Sequence, residues 1–252
     1  MTQRTINTTL AAAALIMTGI TAANASSADN QARFGFGARK DIANGVRLDI
    51  ATEQRLLNDA KHYYYSEFDL GFNIKVNDWL SVAPALRYKE ERKFDPDKSS
   101  NDPSRLSTWE REIRPMLNAT LSYKYAGWTF EDRNRFEWRQ YTDDKKDWKR
   151  YRNRVKVTSP WKWTDLNINP YASVEIFQPL SGQTNGKNRR SLQDFEAVVG
   201  VSTKLTDDLS LDLYYMAEFK EQLKKPASGG NHRNDGHSHT ANIIGVALTM
   251  KF

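Results

Sequence analysis

The sequence predicts an all-β fold: a transmembrane, antiparallel, up-and-down β-barrel of about ten strands, with roughly eight to twelve allowed. Three observations predict it. Long segments alternate apolar with charged residues at a period of two, tight turns alternate with long polar loops, and the chain stops at Phe252 on an alternating apolar run.

The alternation comes first because it sets the fold class. From His62 to Val76, Tyr64, Phe68, Leu70, Phe72, Ile74 and Val76 share one face, and Tyr65, Glu67, Asp69, Asn73 and Lys75 share the other. From Leu209 to Lys220, Leu209, Leu211, Leu213, Tyr215, Ala217 and Phe219 oppose Ser210, Asp212, Tyr214, Glu218 and Lys220. A two-residue repeat belongs to strands, whose side chains point alternately to the two faces of a sheet. Reading on in this way gives strands near 46–57, 62–77, 79–91, 108–125, 128–141, 148–158, 165–177, 190–205, 209–221 and 240–252. Most reach or exceed the roughly 9–11 tilted residues that cross an apolar layer.

The connections give the second observation. Asn77-Asp78, Ala126-Gly127 and Thr206-Asp207-Asp208 are tight turns, and 159–164 is slightly longer. They alternate with polar loops at 92–107, 142–147, 178–189 and 222–239, with 58–61 as the short member of that set. This asymmetry is expected of an outer-membrane barrel. Trp79, Tyr88, Trp109, Trp128, Trp148, Trp161 and Trp163 fall near strand ends, where amphipathic rings would form interfacial girdles.

The third observation lies at the C-terminus. Ile244, Val246, Leu248, Met250 and Phe252 alternate with Ile243, Gly245, Ala247, Thr249 and Lys251. A terminal strand of this form resembles the signal read by the barrel-assembly machinery. Closure then follows from solvation, because in lipid every backbone N–H and C=O needs an internal partner and an open edge has none.

The N-terminal region is read as an export signal. Arg4 supplies a positive start, Leu10 to Ile20 an apolar stretch, and Ala23-Asn24-Ala25 the small residues of a cleavage site. The expected organisation is a cleaved signal at 1–25, a periplasmic segment at 26–45 with Arg33 to Gly37 as a candidate short strand, and a barrel at 46–252. Export through the Sec pathway would deliver the chain to the outer membrane. A mean hydropathy of −0.73 excludes a bundle of apolar spanning helices. With no cysteine, burial and backbone pairing hold the fold. The net charge of +6 is spread by alternating acids and bases, which argues against nucleic acid as a partner.

The segments Asn134-Arg135-Phe136-Glu137-Trp138-Arg139 and Trp148-Lys149-Arg150-Tyr151-Arg152-Asn153-Arg154 carry a resemblance, together with Asn77-Asp78-Trp79-Leu80-Ser81 and 209–215. Across nearly the whole mature chain the sequence resembles a family of proteobacterial outer-membrane barrels of unknown function. More distantly, it is similar to small porins of the oligogalacturonate-channel type. The resemblance implies a fold and a location, with no catalytic residues to transfer.

On this phase Arg133, Arg135, Glu137 and Arg139 face the lumen from one strand, and Arg150, Arg152, Arg154 and Lys156 from the next. Glu110, Glu112 and Arg114 neighbour them, and Glu175, Asp194, Glu196, Asp212 and Glu218 come from the far side. Two readings follow. Arginine–carboxylate pairing fills a narrow lumen, or a basic wall attracts small anions through a channel. The filter residues expected for the second are Arg133, Arg135, Glu137, Arg139, Arg150, Arg152, Arg154 and Glu175. In the first, the long loops would contact lipopolysaccharide or a partner. Asp132 and Asn134 fall on the lipid side, so either a bulge re-aims Asp132, as Pro84, Pro115 and Pro170 suggest elsewhere, or this wall contacts another protein. An outer-membrane hydrolase is a third, distant reading, since His62 sits alone at a strand start and no nucleophile–base pairing emerges from spacing. His232, His237 and His239 form a histidine-rich loop with weak metal-binding character. A solvated surface loop is the favoured account of them, so no cofactor is expected.

Overall fold

The computed structural model describes residues 29–57, 60–92, 108–142, 147–161, 167–181, 194–221 and 238–252. Eleven strands run in chain order: β1 (Asp29–Ala43), β2 (Val46–Leu57), β3 (His62–Lys75), β4 (Leu80–Glu91), β5 (Glu110–Tyr125), β6 (Trp128–Tyr141), β7 (Trp148–Thr158), β8 (Asn169–Ser181), β9 (Asp194–Lys204), β10 (Leu209–Glu221) and β11 (Ser238–Lys251). Each pairs with its neighbours in sequence, and β1 pairs with β11 to close the barrel. The closed, all-β barrel expected from alternation is therefore the fold, with one strand more than the ten read from sequence.

The added strand corrects two expectations. Residues 29–43, assigned to a periplasmic segment, are β1, a full wall of the barrel. The hairpin that joins it to β2 turns at Asn44-Gly45, with Gly45 at a φ of 73°. Asn-Gly is a strong short-range hairpin signal, and in this turn the glycine alone takes positive φ, a conformation it adopts without steric cost. Ten strands in an up-and-down order would let the first and last pair antiparallel. The count is odd, and β1 runs parallel to β11 over Asp29↔Ala241 to Arg39↔Lys251. All other pairs are antiparallel.

Burial is inverted relative to a soluble protein. Phe68, Leu70 and Phe72 leave 46, 41 and 43 % of their surface exposed, while Arg114, Glu112 and Glu137 leave 3, 1 and 3 %. Lys, Arg, Asp and Glu are almost never buried unless paired, so the inward face must be an ion-pair network. The apolar residues sit outside in continuous rows such as Ile50, Leu70, Leu86 and Pro115. Aromatic rings band both rims. Trp128 and Trp161 meet edge-on at 5.4 Å near the short turns, and Tyr63 and Trp109 lie 5.5 Å apart near the loop end. Trp148, expected in a girdle, instead points inward and is buried beneath the Arg139 guanidinium, 4.5 Å from its ring centroid. Trp163 lies outside the described residues.

Local chemistry sets the turns and irregularities. Asn77 Oδ1 accepts the backbone N–H groups of Trp79 and Leu80 at 2.9 and 2.8 Å, an Asx turn that reverses the chain between β3 and β4. Ala126 and Gly127 both take positive φ in the β5–β6 hairpin. Bulges fall at Asp41/Ala43, Arg55/Leu56 and Lys149/Arg150. The second corrects the placement of Tyr64. It shifts the phase so that Tyr63 is exposed and Tyr64 is buried, its hydroxyl donating to Gln31 at 2.9 Å. Pro84 and Pro115 interrupt ladder bonds without shifting the register. β8 continues through Pro179, which pairs with Arg150 beside the third bulge, where a missing N–H costs least.

No bulge re-aims Asp132. It stays in register with Leu121 and Val155 on the outer face, and the Asn153 amide donates to its Oδ1 at 2.5 Å. The Tyr151 hydroxyl donates to Asn134 beside it. This polar patch is satisfied internally within the outer wall.

Candidate functional site

The lumen holds a cavity of about 730 Å³, and its cationic wall is built by β5 to β8. In β6 the inward phase carries Arg133, Arg135, Glu137 and Arg139, and in β7 Arg150, Arg152, Arg154 and Lys156. The antiparallel register sets Arg133 against Arg154 and Arg135 against Arg152. Like charges directly opposite repel, so each pair needs a carboxylate from elsewhere.

Three glutamates supply most of it. Glu137, in register with Arg150, accepts from the Arg150 guanidinium at 2.6 Å and from Arg152 at 3.2 Å. Arg114 and Arg135 approach it at 3.5 and 3.7 Å. Glu112 takes a two-toothed contact from Arg139, at 2.7 and 2.6 Å, with Arg114 at 2.8 Å and Lys89 at 3.5 Å. Glu175 in β8 accepts from Arg133 at 2.6 Å and Arg152 at 2.8 Å. Arginine's planar fork suits this sharing, because it donates several N–H groups in fixed directions.

All eight residues expected along the lumen face it, but they divide into two groups. Arg135, Glu137, Arg139, Arg150, Arg152 and Glu175 are tied into the glutamate network. Arg154 lies opposite Glu175 in register, yet it forms no ion pair or hydrogen bond among the described residues, and its Nε is buried without a partner. Arg133 spends one terminal nitrogen on Glu175 and leaves its Nε in the same condition.

The sequence reading missed the rest of the belt. Arg33 in β1 is buried and approaches Glu218 at 3.5 Å and Glu196 at 3.9 Å, tying β1 to β9 and β10 across the closure. Arg87 in β4 joins Glu67 and Asp69 of β3, each at 2.6 Å. Two tyrosines lie flat over glycines: a Cβ on Gly245 would fall 1.9 Å from Tyr214 Cζ, and one on Gly200 would fall 2.7 Å from Tyr171 Cζ. The same two-residue phase locates each of these once β1 is counted as a strand.

The remaining candidates are placed as follows. Ile244, Val246, Leu248, Met250 and Phe252 lie on the outward phase of β11, with Met250 and Phe252 exposed. His232 and His237, and the side chain of His239, lie outside the described residues. Among the described residues no group of three histidines, cysteines or acids is arranged to hold a metal.

A closed barrel with an apolar exterior and a charged, partly open interior is a porin-like architecture. The chain belongs to the family "Protein of unknown function (DUF2490)", whose model matches residues 30–228. The matched span includes β1 through β10 almost entirely. No curated protein matches the sequence. Among solved structures, the chain is similar to the NanC porin, at 13% identity and a TM-score of 0.47, over 88% of this chain and 99% of that one.

Proposed function

We propose that this protein is an outer-membrane channel that passes small, preferentially anionic solutes. The observation that carries this reading is the lumen cavity of about 730 Å³ against a wall where arginines outnumber glutamates. Rings and walls of Arg and Lys favour anions in narrow pores. The outward rows of Phe, Leu and Ile support a lipid environment, since so much exposed apolar surface is costly in water. The alternating outer face of β11 is the proposed handle for the assembly machinery.

The test is electrical. The purified barrel in planar bilayers is expected to give discrete conductance steps, and a reversal potential under a potassium chloride gradient displaced toward the chloride equilibrium value. Current no greater than that of bare membrane would overturn the channel.

A second reading is favoured by one observation, the near-complete burial of Glu112, Arg114 and Glu137. Such a belt can close the barrel midway and leave a structural or interaction protein whose loops meet lipopolysaccharide or a partner. Those long loops lie mostly outside the described residues. The same conductance measurement separates the two.

A further inference from the structure

We infer that Arg133 and Arg154, assisted by Lys156, form an oxyanion-binding site in the lumen, selective for carboxylate- or phosphate-type groups over halide. This deepens the channel reading and rests on it for any role in transport. The sequence presents eight charged positions, seven on β6 and β7 and Glu175 on β8, as one filter, whereas the structure separates those already neutralised from those still available.

Glu175 is the nearest acid to the pair, and its Oε1 is occupied by Arg133 at 2.6 Å and Arg152 at 2.8 Å. Among the described residues Arg154 has no hydrogen-bond acceptor or ion-pair partner, although it stands in register with Glu175 and faces Arg133 across the β6–β7 ladder. Both Nε atoms are buried and unpartnered. A buried, unmatched N–H donor costs free energy, and two facing guanidinium groups add repulsion. A bound oxyanion relieves both, because its two or three oxygens can accept from both forks, whereas a halide offers a single centre.

The surroundings fit such a guest. Arg133, Arg154 and Lys156 all line the cavity, with Tyr171 and Ser173 beside them. Lys156 Nζ lies 4.0 Å from the Tyr171 ring centroid. Two acids are near Lys156: Glu131 is in register with it, and Asp212 lines the same cavity from β10. These temper the lysine's contribution but do not reach the arginine pair. Arg154 also makes a clean test, since its removal leaves Glu175 with both of its partners.

The full-length barrel, folded in detergent, would be titrated with inorganic phosphate by calorimetry at low chloride. The expected result is saturable binding that Arg154→Gln weakens at least tenfold and Arg154→Lys partly restores. Lys156→Gln should cost a smaller factor, and Lys149→Gln on the outer face should change nothing. Absence of saturable binding, or equal binding by wild type and Arg154→Gln, would overturn the site. If Arg154→Gln fails to fold, equal binding by Lys156→Gln and wild type, with no competition by acetate, does the same. Binding without conductance would remove the channel and keep the site. Conductance with selectivity unmoved by Arg154→Gln, and no phosphate binding, would do the reverse.

Discussion

Glu137→Gln is the sharpest perturbation of the lumen network. The substitution keeps size and one acceptor but removes the charge on which four arginines converge. Three of them have a second partner: Arg114 keeps Glu112 at 2.8 Å, Arg152 keeps Glu175 at 2.8 Å, and Arg135 keeps Asn118 at 2.5 Å. Among the described residues Arg150 has Glu137 as its one anionic partner, contacted through Nε at 2.8 Å and a terminal nitrogen at 2.6 Å. The loss is therefore concentrated in one uncompensated guanidinium. Breaking a buried pair from one side costs about 3–5 kcal/mol, and the partners retained by the other three place this case near 3 kcal/mol, roughly the lower bound. Urea unfolding in lipid vesicles, followed by tryptophan fluorescence, should show that loss. Adding Arg150→Gln should recover about 1–2 kcal/mol, since contacting residues couple by roughly that amount. A single variant within about 0.5 kcal/mol of wild type, or a double variant no better than the single, would refute the network as a source of stability.

Three further outcomes follow from the walls. Leu70→Arg, in the outward row between Ile50 and Leu86, should destabilise the vesicle-folded protein by about 2–4 kcal/mol, against roughly 0.5 kcal/mol for a surface facing water; the vesicle unfolding curve decides between them. Gly245→Ala places a methyl where Tyr214 lies and should cost about 1–3 kcal/mol, largely recovered in Gly245→Ala/Tyr214→Ala, again by urea midpoint. Asp132→Asn removes a charge from the outer wall and should stabilise the vesicle-folded barrel by about 1 kcal/mol; a loss of stability would show that the carboxylate serves a protein neighbour.

Period-two alternation was enough to place most strands and the inward phase of β6 and β7, because an apolar outer wall around a charged interior makes each strand declare both faces. β1 was harder to read. Gly35 and Gly37 stand on the lumen side of β1 between Arg33 and Arg39, so the charged phase that marks the other strands is interrupted there, and the turn signal Asn44-Gly45 went unread. The register between β6 and β7 was implicit in a short hairpin, yet which arginine finds which glutamate depends on three-dimensional reach. Glu175 comes from β8 and Glu112 from β5, and no local pattern says that together with Glu137 they satisfy Arg139, Arg150 and Arg152 while passing over Arg154. The bulge at Arg55/Leu56 reset the phase and hid the inward turn of Tyr64, whereas Trp148 shares the phase of Arg150 and Arg152, so alternation itself turns it inward, against its place in a girdle.

The odd strand number has a consequence for assembly. Ten of the eleven strand pairs join neighbours in sequence and can zip locally as hairpins or short crossings. The eleventh brings residue 29 to residue 241, the most distant pairing in the chain. Its slanted parallel bonds are also slightly weaker per residue, and loop-closure entropy favours nearby contacts first. The β1–β11 seam is thus the last to form and the first to breathe, so amide exchange should be fastest along it. Arg33 then acts as its latch, holding the newly closed edge through Glu218 and Glu196.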